Sequence, residues 1–138
     1  MTSSIILDTH VLLWVLLEPE RISKNLKQKI ISAQQSRRLF ISSISLWEVA
    51  MLSQKKRLNV YEPIKDFLKA IVALDGILVK EISADVASES VLLLDDFHGD
   101  PADRIIVATA RVAGATLLTR DQKILSWAKN GHVKCLKV

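Results

Sequence analysis

Short apolar runs alternate along the chain with longer segments whose apolar residues recur at helical spacing. Short runs of this kind are typical of strands buried on both faces of a parallel sheet, and the longer segments are typical of helices packed on it. The predicted strands are Ile5–Leu7, Leu39–Ile41, Ile77–Ile82, Ala115–Leu118 and Val133–Leu136. The predicted helices of the first half are Val11–Leu17, Ser23–Gln35 and one that starts within Ser42–Ser45 and runs through Leu52. Pro63 opens a further helix, and another runs from Ser83 to about Leu94. After a loop over Asp95–Gly99, the last two predicted helices are Asp100 to near Gly114 and Asp121–Lys129. This alternation predicts an α/β fold: a three-layer α/β/α sandwich with a mostly parallel central sheet.

Composition limits the class of protein. The 138 residues, 49% hydrophobic and 25% charged, predict one globular domain over residues 1–138. A net charge of +4 favours an anionic partner such as nucleic acid without establishing one. Cys135 is the one cysteine, so we expect a reducing, cytoplasmic environment. The apolar run Val11–Leu17 is too short to span a bilayer, and we expect no membrane association.

Four acidic residues stand where a predicted strand leads into a helix. They are Asp8, Glu48, Asp103 and Asp121. Because ligands bind beyond the carboxyl ends of the strands in open parallel sheets, we expect all four at one rim. Carboxylates gathered in a basic protein predict a site for a hard divalent cation, Mg²⁺ or Mn²⁺, and the absence of a Cys–His cluster argues against zinc. We expect Asp8 and one of Asp103 or Asp121 to bind the metal directly, with the other acids acting through water.

Each of these acids also has a purely structural explanation. Asp8 and Asp121 fit helix N-caps, and Asp100 followed by Pro101 and Asp103 fits a cap, a proline at the first helical position and an acid that complements the helix dipole. Ser45 and Glu48 fit a capping box. Caps, however, do not require four carboxylates to meet, and Glu48 lies in an apolar helix where burial without a partner is costly.

Four segments resemble PIN-domain ribonucleases, most closely VapC-type toxins of bacterial toxin–antitoxin pairs. In chain order they are Ile6–Trp14 (ILDTHVLLW), Ser43–Ala50 (SISLWEVA), Asp100–Ala110 (DPADRIIVATA) and Leu118–Asp121 (LTRD). The resemblance implies cleavage of RNA that depends on Mg²⁺ or Mn²⁺, with the family's acidic quartet at Asp8, Glu48, Asp103 and Asp121. It implies that Thr119 orients an acidic ligand or water, and that Asp100 is an additional acid of lower rank. One metal or two, and whether Glu48 binds metal or orients water, stay open.

The resemblance also implies partners. We expect an RNA substrate, with Arg104 and Arg120 as phosphate contacts because they flank the acids. We expect a cognate antitoxin whose peptide fills the acidic site and covers apolar helical surface, and a homodimer. Helices over Leu46–Leu52 and Ile64–Leu74 are the candidate surfaces for either interface.

Two other functions fit an α/β protein with acids at strand ends. A receiver domain would need paired early acids, an aspartate after the third strand and a late lysine, and Asp8 stands without an acidic neighbour while Thr119-Arg120 offers no such lysine. A non-catalytic RNA-binding or scaffolding module of the same fold is the remaining alternative. All four acids are present, which favours the nuclease.

Overall fold

The structure, a computed structural model, describes residues 3–93 and 96–138. Within those ranges the strands are β1 (Ile5–Leu7), β2 (Leu39–Ser42), β3 (Ile77–Lys80), β4 (Thr116–Thr119) and β5 (Cys135–Lys137). The α-helices of the same ranges are α1 (Thr9–Leu17), α2 (Lys24–Gln35), α3 (Ser43–Gln54), α4 (Ile64–Val72), α5 (Ala84–Val91), α6 (Pro101–Ala113) and α7 (Gln122–Ala128). A short 3₁₀ turn, Pro19–Arg21, follows α1.

The strands form one sheet in the order β3-β2-β1-β4-β5, and each of its pairings is parallel. The chain moves outward from β1 through β2 to β3, then returns to the other side of β1 for β4 and β5. The strand order therefore reverses between β1 and β4, which is where doubly wound sheets open a crevice for ligands. The predicted fold class is confirmed.

Helices cover both faces of the sheet because successive strand residues point to opposite sides. Ile5 and Leu7 of β1 pack into a core with α1, α2, α3 and α4, whereas Ile6 packs into a second core with α6 and α7. Leu118 and Leu117 of β4 divide between the two cores in the same way. Ile6, Leu7, Leu117 and Leu118 are fully buried, and burial of each such side chain stabilises the fold by roughly 1.5–3 kcal/mol.

Most element boundaries agree with the sequence predictions to within two residues. Helix α1 starts at Thr9 rather than Val11, because Asp8 caps it directly. Strand β3 ends at Lys80, two residues short of its predicted end, and β5 is shifted toward the carboxyl terminus. Helix α5 ends at Val91; its predicted end at Leu94 and the start of the following loop at Asp95 lie outside the described residues. In the ranges that the structure describes, no helix combines the length and apolar character needed to cross a membrane.

Candidate active site

Asp8 stands at the end of β1 and is almost completely buried, with 5% of its surface exposed. Its Oδ1 accepts a hydrogen bond from the Thr9 backbone N–H at 2.7 Å, so it caps α1 as the structural explanation predicted. Its Oδ2 accepts a hydrogen bond from the Thr119 hydroxyl at 2.6 Å. Burial raises the pKa of Asp8, and these two hydrogen bonds oppose the rise. Each oxygen keeps a second lone pair for another ligand.

Thr119 links Asp8 to Asp121. It is the last residue of β4 and is fully buried. While its hydroxyl donates to Asp8, the same oxygen accepts from the Asp121 backbone N–H at 3.0 Å. Asp121 in turn caps α7, since its Oδ1 accepts from the backbone N–H groups of Lys123 and Ile124 at 2.8 and 3.1 Å. The ends of the two strands at the point of strand reversal are therefore joined by side chains.

Glu48 is held by a hydroxyl relay and takes no part in a capping box. Ser42 caps α3 by accepting from the Ile44 N–H, which leaves Ser45 inside the first turn, so the predicted Ser45–Glu48 capping box is wrong. The Thr9 hydroxyl donates to Glu48 Oε1 at 2.5 Å and lies 2.8 Å from the Ser45 hydroxyl. Because a hydroxyl has one proton to give, Ser45 donates to Thr9 and Thr9 donates to Glu48. The Glu48 side chain is half-buried rather than enclosed by its apolar helix.

Asp103 and Asp100 lie at the start of α6. Asp100 is exposed and caps the helix, accepting from the N–H groups of Ala102 and Asp103 at 3.0 and 3.4 Å, so the prediction of Asp100 as a cap is correct. Asp103 lies in the first turn, and its Oδ2 is 2.7 Å from Nε2 of His98. That contact orients Asp103. The sequence did not predict that His98, a loop residue, contacts Asp103.

The pKa values of Glu48 and Asp103 reflect their position in an acidic cluster. Burial raises the pKa of Glu48 to about 7, and repulsion from Asp8, Asp103 and Asp100 adds to the rise while the Thr9 hydrogen bond opposes it. Burial likewise raises the pKa of Asp103 to about 6, with repulsion from Asp8 adding and the His98 hydrogen bond opposing. The charges of these carboxyl groups therefore repel one another, as expected for groups that lie close together.

One cavity of about 300 Å³ collects the acids. Its lining residues are Asp8, His10, Glu48, Asp100, Asp103, Arg120 and Asp121. The geometric expectation that the four predicted acids meet at one rim is thus met, with Asp100 and Arg120 beside them. Their catalytic roles stay predictions. Arg120 is exposed, and its guanidinium carbon lies 4.8 Å from the centre of the Trp14 ring, a cation–π contact.

The sequence predicts Arg104 as a phosphate contact beside the acids, and the structure places its guanidinium elsewhere. Its guanidinium donates to the carbonyls of Ser90 and Phe97, at 3.1 and 2.8 Å, and lies over the Phe97 ring. It does not line the acidic cavity. Consecutive residues on a helix point about 100° apart, so Arg104 faces away when Asp103 faces the acids. Arg104 therefore links the loop before α6 to α5 through hydrogen bonds, and it is not positioned to contact a phosphate at the acids.

The residues of the cavity fit a hydrated Mg²⁺ or Mn²⁺ ion. Hard carboxylate oxygens whose burial and mutual repulsion raise their pKa values are a donor set that a divalent cation would relieve. In the described residues, no three or more His, Cys, Asp or Glu side chains form a group that could hold a metal ion. Mg²⁺ does not need such a group, since it usually keeps several waters and takes one or two carboxylates directly.

Sequence reasoning missed Thr9, Ser45 and His98 as supporting residues. Thr9 and Glu48 are 39 residues apart, and their contact depends on how α1 and α3 pack, which no local pattern reports. For His98 the sequence suggests only a surface or packing residue, or a general acid or base. The available signal is position in the sequence: Thr9 directly follows an acid of the predicted site, and His98 lies two residues before Asp100.

This chain is similar to known proteins in both sequence and fold. The PIN domain family profile matches residues 5–130. Ribonuclease VapC22 of Mycobacterium tuberculosis (strain ATCC 25618 / H37Rv) is 34% identical over 124 residues, which cover 90% of this chain and 92% of that protein. A toxin–antitoxin complex from Klebsiella pneumoniae is 27% identical with a TM-score of 0.57, covering 87% of this chain and 88% of that one. DNA-bound VapBC from Salmonella typhimurium has a TM-score of 0.70 over 98% of both chains at 14% identity, a likeness of fold alone. This chain belongs to the PIN-domain family, as a relative of VapC-type ribonucleases.

Proposed function

We propose that the protein is an endoribonuclease that hydrolyses RNA phosphodiesters with Mg²⁺ or Mn²⁺, and that it acts as the toxin of a toxin–antitoxin pair. The observation that carries the proposal is the cavity that Asp8, Glu48, Asp103 and Asp121 line together. Like-charged carboxylates so close to one another are unfavourable without a cation, and a cation there would attract a phosphodiester. The identity to Ribonuclease VapC22 supports the same activity.

The acids divide into those that hold the cation and one that handles a proton. Asp8 and one of Asp103 or Asp121 would hold the metal directly and the other through water, and the metal when bound supplies charge for the phosphate and lowers the pKa of water. Glu48 would act as the general base, a role that carboxylate side chains often take. Its Oε1 is occupied by the Thr9 hydroxyl, which leaves Oε2 to accept the proton of the attacking water. Thr119 fixes the orientation of Asp8.

Arg120 supplies the positive charge that the acidic cavity needs toward an RNA backbone. It lines the cavity and rests on the Trp14 ring, which restricts the freedom of its long side chain. A guanidinium presents donors in a fork that matches two phosphate oxygens. We assign it to a phosphate contact at the scissile or the adjoining position.

An antitoxin and a second copy of this chain are the proposed protein partners. The complexes that resemble this chain include a toxin–antitoxin pair, which supports the first. Val72 on α4, one of the two helices predicted as interfaces, is 51% exposed and suits protein contact. Sedimentation of the purified protein tests the homodimer, which we expect at micromolar concentration.

The decisive experiment compares the wild type with Asp8→Asn on total cellular RNA, in Mg²⁺ and in EDTA. We expect discrete cleavage only by the wild type with Mg²⁺. The substitution keeps the size and the cap geometry of Asp8 and removes its charge, so a folded but inactive variant is expected. Cutting that persists in EDTA or in the variant would overturn the mechanism. RNA that is bound by the wild type but never cut would favour the non-catalytic module instead.

A further inference from the structure

A second cavity, of about 540 Å³, opens beside the acidic one. His10, Glu48 and Asp100 line both, so the two are parts of one depression. The larger cavity leads away from the acids along α3, with Pro101 and Ala102 of α6 on its other side. A substrate strand whose phosphate lies among the acids would continue into it.

One stripe of α3 lines this second cavity. Trp47 and Met51 of α3 are four residues apart and therefore share a helix face, and Lys55, the C-cap of α3, follows four residues later. Trp47 leaves 56% of its surface exposed, although tryptophan is on average highly buried. An exposed indole that lines a cavity next to a candidate nuclease site offers a flat face for stacking.

Two cations at the carboxyl end of α3 also line the cavity. Lys55 caps the carboxyl end of α3, and the left-handed backbone of Lys56, with φ of 57°, turns the chain so that the Arg57 N–H bonds back to the Leu52 carbonyl. Lys55 and Arg57 consequently line the cavity together, and Lys56 does not. In the part of the chain that the structure describes, neither of these two side chains forms an ion pair with a carboxylate.

We propose that this cavity is a subsite for single-stranded RNA, in which Trp47 stacks on the base next to the cleaved bond and Lys55 and Arg57 bind the following backbone phosphate. This inference rests on the proposed nuclease function and specifies how its substrate is held. Single-stranded RNA is the ligand that presents an aromatic face and an anion in alternation, and stacking platforms combined with cations are the usual means of binding it. An exposed indole and two cations in one cavity beside the acids match that ligand better than they match an apolar helix of a protein.

Steady-state cleavage of a synthetic single-stranded oligoribonucleotide that the wild type cuts tests the subsite. We expect Trp47→Ala to raise KM about tenfold with kcat within about twofold, and Trp47→Phe to bring KM most of the way back, because phenylalanine keeps a stacking face. The double variant Lys55→Ala/Arg57→Ala should raise KM and flatten its dependence on salt, by about 0.7 in slope for each phosphate that the protein no longer binds. Lys65→Ala/Lys69→Ala, which removes two exposed charges from α4 outside the cavity, is the matched control and should leave the slope near that of the wild type.

Fluorescence anisotropy gives a second readout that does not need cleavage. Binding of the labelled oligonucleotide to Asp8→Asn protein should weaken by the same factor when Trp47→Ala is added. Unchanged KM and unchanged anisotropy in an active, folded Trp47→Ala protein would overturn the subsite while the nuclease proposal stands. If Trp47→Ala leaves RNA binding intact but shifts the sedimentation of the protein, this face is a protein interface and the subsite is refuted. Absence of any cutting by the wild type would refute the nuclease function itself.

Discussion

The hydroxyl of Thr119 lies 2.6 Å from Oδ2 of Asp8, across the boundary between β1 and β4. The pair is buried, and the same hydroxyl accepts the backbone N–H of Asp121. A single oxygen thus orients one acid through its side chain and positions another through its backbone. Supporting residues of this kind typically account for about 10- to 100-fold in metal affinity or activity.

Thr119→Val keeps the shape of the side chain and removes the hydroxyl. We expect RNA cleavage to fall by roughly 10- to 100-fold, because Asp8 loses its orienting donor. The measurement is kcat/KM on an oligoribonucleotide, together with the Mg²⁺ concentration at half-maximal rate. Thr116→Val, on the same strand but outside the acidic cavity, is the control. Equal activity of the two variants would show that the hydrogen bond is not functional.

The raised pKa of Glu48 predicts how the stability of the fold depends on pH in the absence of metal. Its pKa of about 7 exceeds the ordinary 4.5, so the folded protein binds this proton more tightly than the unfolded chain does. The stabilisation from that proton is complete below pH 4.5 and is lost as the pH rises through 7. The Tm of Glu48→Gln minus the Tm of the wild type should therefore increase as the pH rises from 4.5 to 7 and should stay constant above pH 7.

Thermal melts in EDTA at intervals from about pH 4 to about pH 8 measure this difference. The amide oxygen of the Glu48→Gln variant can still accept the Thr9 hydrogen bond, so the comparison isolates the charge. Glu62→Gln, at an exposed position, controls for the loss of one negative charge. A Tm difference between Glu48→Gln and the wild type that is the same at every pH would contradict the raised pKa.

Arg120 and Arg104, which are adjacent to acids in the sequence, are expected to respond differently to substitution by alanine. Arg120→Ala should weaken RNA binding and lower the salt dependence of binding by about 0.7 in slope, with little change in Tm, because its guanidinium is exposed. Arg104→Ala should leave the salt slope unchanged and destabilise the protein by about 1–3 kcal/mol, since the carbonyls of Ser90 and Phe97 lose a charged donor. Binding titrations at several salt concentrations and denaturant unfolding distinguish the two. The assignment fails if Arg104→Ala alters the salt slope and Arg120→Ala does not.

Gly76 is predicted to tolerate no side chain. It has φ of 82° just before β3, and a Cβ there would lie 2.5 Å from the backbone carbonyl oxygen of Gln34. Gly76→Ala should destabilise the fold by about 1–3 kcal/mol through strain and steric overlap. Gly99→Ala is the matched control, because no atom lies within 4 Å of its added Cβ. Equilibrium unfolding in urea measures both, and a similar midpoint for the two variants would contradict the prediction.

The parts of the site that follow from strand ends could be predicted from the sequence. Asp8 directly follows β1 and Asp121 comes two residues after the end of β4, so parallel pairing of these strands brings both acids to one rim. The direction of residues on helices could not be predicted in the same way. Whether Asp103 or Arg104 faces the acids depends on the rotation of α6 about its axis, which only packing sets. The relay from Ser45 through Thr9 to Glu48 depends likewise on the contact between α1 and α3.

The pairing of β1 with β4 has a consequence for synthesis on the ribosome. Thr119 and Asp8 are 111 residues apart, and their strands are neighbours in the sheet. A growing polypeptide that has emerged only as far as β3 holds Asp8 and Glu48 but neither Asp103 nor Asp121. Translation itself would thus delay formation of the four-acid cavity until β4 and the start of α7 have left the exit tunnel.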